Sequence, residues 1–208
     1  MAEKINIDDL MVETYSDKTL KAYSEMIADP KSVFGLGSAA AGSSLCGVSM
    51  ALRALRMTAS EDADMLHAEK DLEKLRVYFL HLIDEENKAK KPLEKLLKQT
   101  EPKDEELEAA YRTACCIIDE IFYMSVRMVE TLEPIADKIC PCAAPMASAA
   151  IHFAKCSMDA VRIQKAVYSR KMNEPVFART TLREPEIAIE NNAELFNGLI
   201  KKFESADG

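Results

Sequence analysis

The chain has 208 residues, 48% of them hydrophobic, which is enough for one well-buried domain spanning residues 1–208. Its formal net charge of −8 argues against general binding to nucleic acid or to an anionic membrane, since both need a basic footprint. Six cysteines without framework spacing, and a polar Met1 to Asp9 with no apolar signal segment, point to reduced thiols in a cytoplasm.

Residues 1–16 read as a polar lead with one apolar cluster, Leu10-Met11-Val12. A short helix is expected from Ser16 or Asp17 to about Ala28, with Leu20, Tyr23 and Ile27 at helical spacing. Asp29-Pro30 ends it, because the residue before proline avoids the helical region. Residues 32–52 carry no charge over 21 positions and hold four of the six glycines. The length would suit a membrane span, but five serines and four glycines make it a weak apolar segment, so a buried helix at about 38–56 is expected. Ser38 is its expected N-cap. The small side chains that follow leave the helix thin on most sides, so it belongs in the middle of a bundle.

A long helix over about 60–97 follows, with Leu66, Leu72, Leu75, Phe79, Leu82 and Ile83 as an apolar stripe. Pro92 is expected to kink or divide it. The next helix, about 103–137, carries Leu107, Tyr111, Ala114, Ile118, Ile121, Ser125, Met128 and Leu132 at a 3.6 period, with Pro134 distorting its end. Cys140-Pro141-Cys142-Ala143-Ala144-Pro145 breaks the chain before a helix over about 146–170. Residues 171–185 are expected to be a connector with Pro175 and Pro185. A last helix over about 186–204 would be anchored by Ile187, Leu195, Leu199 and Phe203. No strand and no internal repeat is evident: the fold class is all-α, a single-domain helical bundle around a central small-residue helix.

Three places could carry chemistry. Gly35-Leu36-Gly37-Ser38 at a helix start would expose backbone N–H groups at the positive end of a helix dipole, which suits an anion, although a glycine turn for close packing explains it as well. Asp84-Glu85-Glu86 would ordinarily be a solvated face, but Glu86 lies three residues beyond Ile83 on the apolar side, where a carboxyl could have a raised pKa and act as acid or base. Cys140 and Cys142, with His152 and Cys156 ten and fourteen residues beyond Cys142, could meet on zinc or an iron–sulfur centre. That spacing fits no zinc pattern, and buried thiols with no metal are the expected reading. His67 and His81 are expected at the surface.

In this order of parts the chain resembles the cyclodeaminase/cyclohydrolase family, found as the C-terminal domain of formiminotransferase-cyclodeaminase and as methenyltetrahydrofolate cyclohydrolase. Phe34-Gly35-Leu36-Gly37-Ser38-Ala39-Ala40-Ala41 is similar to the family's Pro-Gly-Gly-Gly-Ser-Val-Ala-Ala, and Leu82-Ile83-Asp84-Glu85-Glu86 to its Leu-Val-Asp-x-Asp. Arg112-Thr113-Ala114 and the small-residue helix near 148 follow in the family's order. The resemblance implies an all-helical homodimer acting on a tetrahydrofolate derivative. The reaction would close formimino-tetrahydrofolate with loss of ammonia, or interconvert the methenyl and 10-formyl forms with water. It implies Gly35, Gly37 and Ser38 lining the ligand site through backbone donors, Asp84 and Glu86 as acid–base groups, and Lys88, Lys90 and Lys91 facing a glutamate tail. The chain departs from the pattern at Leu36, at Glu86, at Ile163-Gln164 where the family has Asn-Val, and at Ala144-Pro145, where a Ser-Asp pair with a catalytic aspartate is expected. Proline cannot move a proton, so a folate-binding helper or carrier of the same fold stands beside the enzyme reading. A metal- or cluster-binding helical protein is the third possibility.

Overall fold

The computed structural model describes residues 14–30 and 35–206. Leu10-Met11-Val12 and Phe34 lie outside them. Among the described residues there are six α-helices: α1 (Leu20–Ala28), α2 (Leu36–Thr58), α3 (Ala63–Leu97), α4 (Asp104–Leu132), α5 (Ala144–Ser169) and α6 (Pro175–Glu204). Two 3₁₀ segments, Glu133–Lys138 and Pro141–Ala143, join α4 to α5. No strand occurs among the described residues, and no described helix is long and apolar enough to cross a membrane.

The central helix is the small-residue one. α2 packs against α3, α4 and α5, and its thinness is used directly: a Cβ on Gly47 would stand 3.0 Å from the Ala150 carbonyl oxygen and from Phe153 Cβ. Where α2, α4 and α5 meet, Ser44, Ser125 and Ser157 are fully buried and hydrogen-bonded in a line, with Oγ–Oγ distances of 2.6 and 3.3 Å. Buried hydroxyls need such partners to offset the loss of water. The apolar core around them includes Leu52, Leu72, Phe79, Ile118, Phe122 and Ile151.

Several boundaries differ from the sequence reading. α2 begins at Leu36 with Gly35 as N-cap, so Ser38 lies inside the first turn. Its hydroxyl donates across to α3 instead of accepting from its own backbone. α1 starts at Leu20 behind a Thr19 cap and buries no residue. Leu20 is 83% exposed, and only Tyr23 and Met26 of this helix reach the core. Leu66 is also exposed, whereas Leu72, Leu75, Phe79, Leu82 and Ile83 are buried as expected.

α3 runs undivided through Pro92, which is exposed, so water can serve the Lys88 carbonyl that loses its helical donor there. Pro134 does end α4, turning its last residues into a 3₁₀ segment. The connector placed at 171–185 is mostly helix. α6 starts at Pro175, where proline needs no helical donor, and Glu174 caps the Val176 and Phe177 amides at 3.0 and 2.5 Å. It then continues through Pro185, and Phe196, Leu199 and Phe203 anchor it while Ile187 is exposed.

Candidate functional site

The α3 stripe that buries Phe79, Leu82 and Ile83 continues into two polar residues, Glu86 and Asn87, which are 2% and 0% exposed. Both face the start of α2. Ser38 Oγ donates to Glu86 Oε2 at 2.6 Å and accepts from Asn87 Nδ2 at 2.9 Å, and Asn87 Nδ2 also donates to the Ile83 carbonyl at 2.9 Å. Asn87 Oδ1 is buried without a partner. Tyr23 Oη, from α1, donates to the Ser38 carbonyl at 2.9 Å.

The glycines make room for the acid. A Cβ at Gly35 would overlap Glu86 Oε1, and a Cβ at Gly37 would stand 2.7 Å from Glu86 Cγ and 2.9 Å from Ile118 Cγ2. The carboxyl that lies against the first turn of α2 is therefore the chain's own, in the position expected for a ligand anion. Burial raises the Glu86 pKa, and the Ser38 hydroxyl, Lys90 and the Ser38 amide oppose that rise without cancelling it. Such a carboxyl can hold a proton at a pH where an ordinary glutamate is ionised.

The other residues named from sequence lie elsewhere. Asp84 is buried but faces the N-terminal segment: Oδ1 accepts from the Tyr15 and Ser16 amides at 2.5 and 3.2 Å, and Oδ2 accepts from Ser16 Oγ at 2.6 Å. Lys88 pairs with Glu85 at 2.6 Å, Lys90 with Glu94 at 3.4 Å, and Lys91 is exposed. Arg112 caps a different junction, lying 4.5 Å over the Phe177 ring and 3.8 Å from Glu174. Among the described residues no group of three or more candidate ligands could hold a metal ion. His152 is 3.4 Å from Glu204, Cys142 and Cys156 are exposed, and Cys140 is half-buried, so these thiols are not core thiols. His67 and His81 are exposed.

Two further residues belong to this end of the bundle. Tyr168 of α5 is buried, its hydroxyl has no partner, and burial first, then the charge of Glu86, pushes its pKa up. Its ring packs edge-on to Tyr111 at 5.5 Å. Asn87 carried a signal in the sequence, being four residues after Ile83 on the buried face; Tyr168 carried none. Beside the Glu86 network runs a largely apolar groove of about 400 Å³, with Tyr15, Tyr23, Leu80, Ile83 and Phe153 in its walls. A cleft between α5 and α6, at Met158, Ile189 and Phe196, has room for only about 70 Å³.

The formiminotransferase-cyclodeaminase family profile matches residues 19–186, from the cap of α1 into α6. The chain belongs to this family. The crystal structure of formiminotetrahydrofolate cyclodeaminase from Thermotoga maritima has the same fold, with a TM-score of 0.76 at 16% identity over 91% of this chain and 96% of that one. No curated protein matches the chain. Within the family fold, Ala144 and Pro145 open α5 beside the end of α2, where the Cys140 amide donates to Thr58 Oγ1 at 3.2 Å. Glu86 lies at the start of α2, the other end of that 23-residue helix. Pro145 therefore stands apart from the Glu86 network of this chain.

Proposed function

We propose that this chain handles a tetrahydrofolate derivative carrying a one-carbon unit, and that Glu86 is its acid–base group. The observation that supports this reading is the nearly fully buried Glu86 carboxyl, seated by Gly35, Gly37 and Ser38 with its pKa raised. The family name and that of the Thermotoga maritima relative supply the substrate class. In this reading the folate ring lies in the groove walled by Tyr15, Tyr23, Leu80 and Phe153, whose size suits a small ligand. The one-carbon end points to Glu86.

In the cyclodeaminase direction the folate N10 attacks the formimino carbon and the C–N10 bond forms. The imine nitrogen collects the N10 proton and one more from an acid, and ammonia leaves as the carbon–nitrogen bond breaks. A carboxyl that stays protonated above the ordinary glutamate range suits that second proton. In the cyclohydrolase direction the same group, ionised, would take a proton from the water that adds to the methenyl carbon.

Methenyl-tetrahydrofolate absorbs in the near ultraviolet, so formation or loss of that band above the uncatalysed rate measures turnover. Glu86→Gln is expected to lower turnover by about 100-fold or more while folate still binds. Unchanged turnover would overturn the role of Glu86, and absence of folate binding to the wild type would overturn the substrate class. A second reading, a folate-binding helper without turnover, rests on Pro145 standing where the family pattern has an aspartate. Binding with no turnover in the wild type would select it.

A further inference from the structure

The Cys140-Pro141-Cys142 turn has no part in the chemistry above. Cys140 is extended (φ −64°, ψ 148°), and Pro141 then opens the 3₁₀ segment that runs into α5. This bend folds both side chains to one side, with Sγ–Sγ at 2.8 Å. The two sulfurs are thus in direct contact, closer than non-bonded sulfurs ordinarily approach and outside a bonded disulfide of about 2.05 Å. Among the described residues no other two thiols are in hydrogen-bond contact. The fixed φ of proline keeps them together at little entropic cost.

The two sulfurs are not equivalent. Cys140 is half-buried, and the Cys142 thiol, then the Thr58 hydroxyl and the Ala143 and Cys142 amides, lower its pKa; Cys142 is exposed and its own pKa is raised by the same contact. A half-buried thiol with a lowered pKa in contact with an exposed second thiol is the arrangement of an attacking and a resolving cysteine.

We propose that Cys140 and Cys142 form a modification site at which a hydroperoxide is reduced and an intrachain disulfide is made. The Cys140 thiolate attacks one peroxide oxygen; the S–O bond forms, the O–O bond breaks, and the other oxygen leaves as an alcohol or water after taking a proton. Cys142 sulfur then attacks the Cys140 sulfenic acid; the S–S bond forms, the S–O bond breaks, and water leaves with the Cys142 proton. Two thiols and one hydroperoxide give one disulfide, one alcohol and one water, with sulfur oxidised and peroxide reduced. The site lies at the Thr58 end of α2, away from Glu86, and rests on no part of the folate reading.

The test treats the reduced full-length protein with hydrogen peroxide, quenches with an alkylating agent and maps the peptides by mass. The peptide carrying Cys140 and Cys142 is expected to lose two hydrogens and escape alkylation before Cys46, Cys116 or Cys156 reacts, and dithiothreitol should reverse it. Cys142→Ser should stop at a sulfenic acid on Cys140 that dimedone captures. Cys140→Ser should slow oxidation at this turn by roughly tenfold or more. The proposal is overturned if both thiols alkylate after peroxide as fast as before, if the isolated exposed cysteines oxidise first, or if Cys140→Ser leaves the rate at Cys142 unchanged.

Discussion

Glu86 concentrates opposing demands at one position: burial disfavours its charge, while Ser38 and Lys90 favour it, and burial is the larger effect. A carboxyl whose folded pKa exceeds its unfolded one contributes most to stability at low pH, and that contribution is lost as pH rises through the raised value. Wild-type stability should therefore decline above the ordinary glutamate range, by at most about 1.4 kcal/mol per pH unit from this group. Glu86→Gln should flatten that slope, as read from urea midpoints across pH 4 to 9; an equal slope in both proteins would remove Glu86 as its source. Gly37 is the partner constraint. A Cβ at Gly37 meets both Glu86 Cγ and Ile118 Cγ2 below 3 Å, so a side chain there strains the packing itself and does more than block a ligand. The valine variant should lose about 3 kcal/mol or more, seen as a lower thermal midpoint with no ligand present.

At the scale of single helices, ends and interiors obey different rules. α2 stops at Ala59, whose φ of 48° is left-handed, with its amide bonded to the Leu55 carbonyl at 3.2 Å. Ala59→Gly should stabilise the protein by roughly 1 kcal/mol, because glycine takes that conformation without the Cβ cost. Gly198 is the converse case: it lies inside α6, and a Cβ there would meet nothing within 4 Å. Gly198→Ala should also stabilise by about 1 kcal/mol, through helix propensity alone. Thermal melts of the two variants check both signs. The prolines are legible on the same terms. Pro175 begins a helix and Pro134 ends one, but Pro92 and Pro185 are crossed, because packing of the helix on either side outweighs one lost hydrogen bond.

Across the whole molecule, α4, α5 and α6 are tied by a buried cation. Lys165 is 1% exposed, bonds to Asp119 of α4 and lies 3.4 Å from Glu184 of α6. Burial raises the Asp119 pKa and the lysine beside it opposes this. Asp119→Ala should cost about 1 to 3 kcal/mol by leaving the ammonium with Glu184 at 3.4 Å as its remaining carboxylate, whereas the double variant Lys165→Met with Asp119→Leu should recover most of that loss. Chemical denaturation of both variants measures the difference, and a double variant no better than the single would show that the ion pair itself stabilises the fold. The lysine was not evident beforehand, since a single charge on a helical stripe reads as solvent-facing until the neighbouring helices are known.

Local chemistry was enough to determine the helical class, the central position of the glycine- and serine-rich helix, and the buried stripes of α3 and α4, whereas only the family resemblance placed Gly35, Gly37 and Ser38 in one region with Glu86. Those features follow from periodicity, side-chain size and the motif order, which act over a few residues. Tertiary structure alone decided that Asp84 is bound to Tyr15 and Ser16 while Glu86 faces the start of α2. It also decided that Asn87 Oδ1 and the Tyr168 hydroxyl are left unpartnered, and that Cys140 and Cys142 stand apart from His152 and Cys156. The physical reason is that burial and hydrogen-bond partnership depend on which helix arrives from tens of residues away, and two carboxyls two positions apart on one helix meet different neighbours.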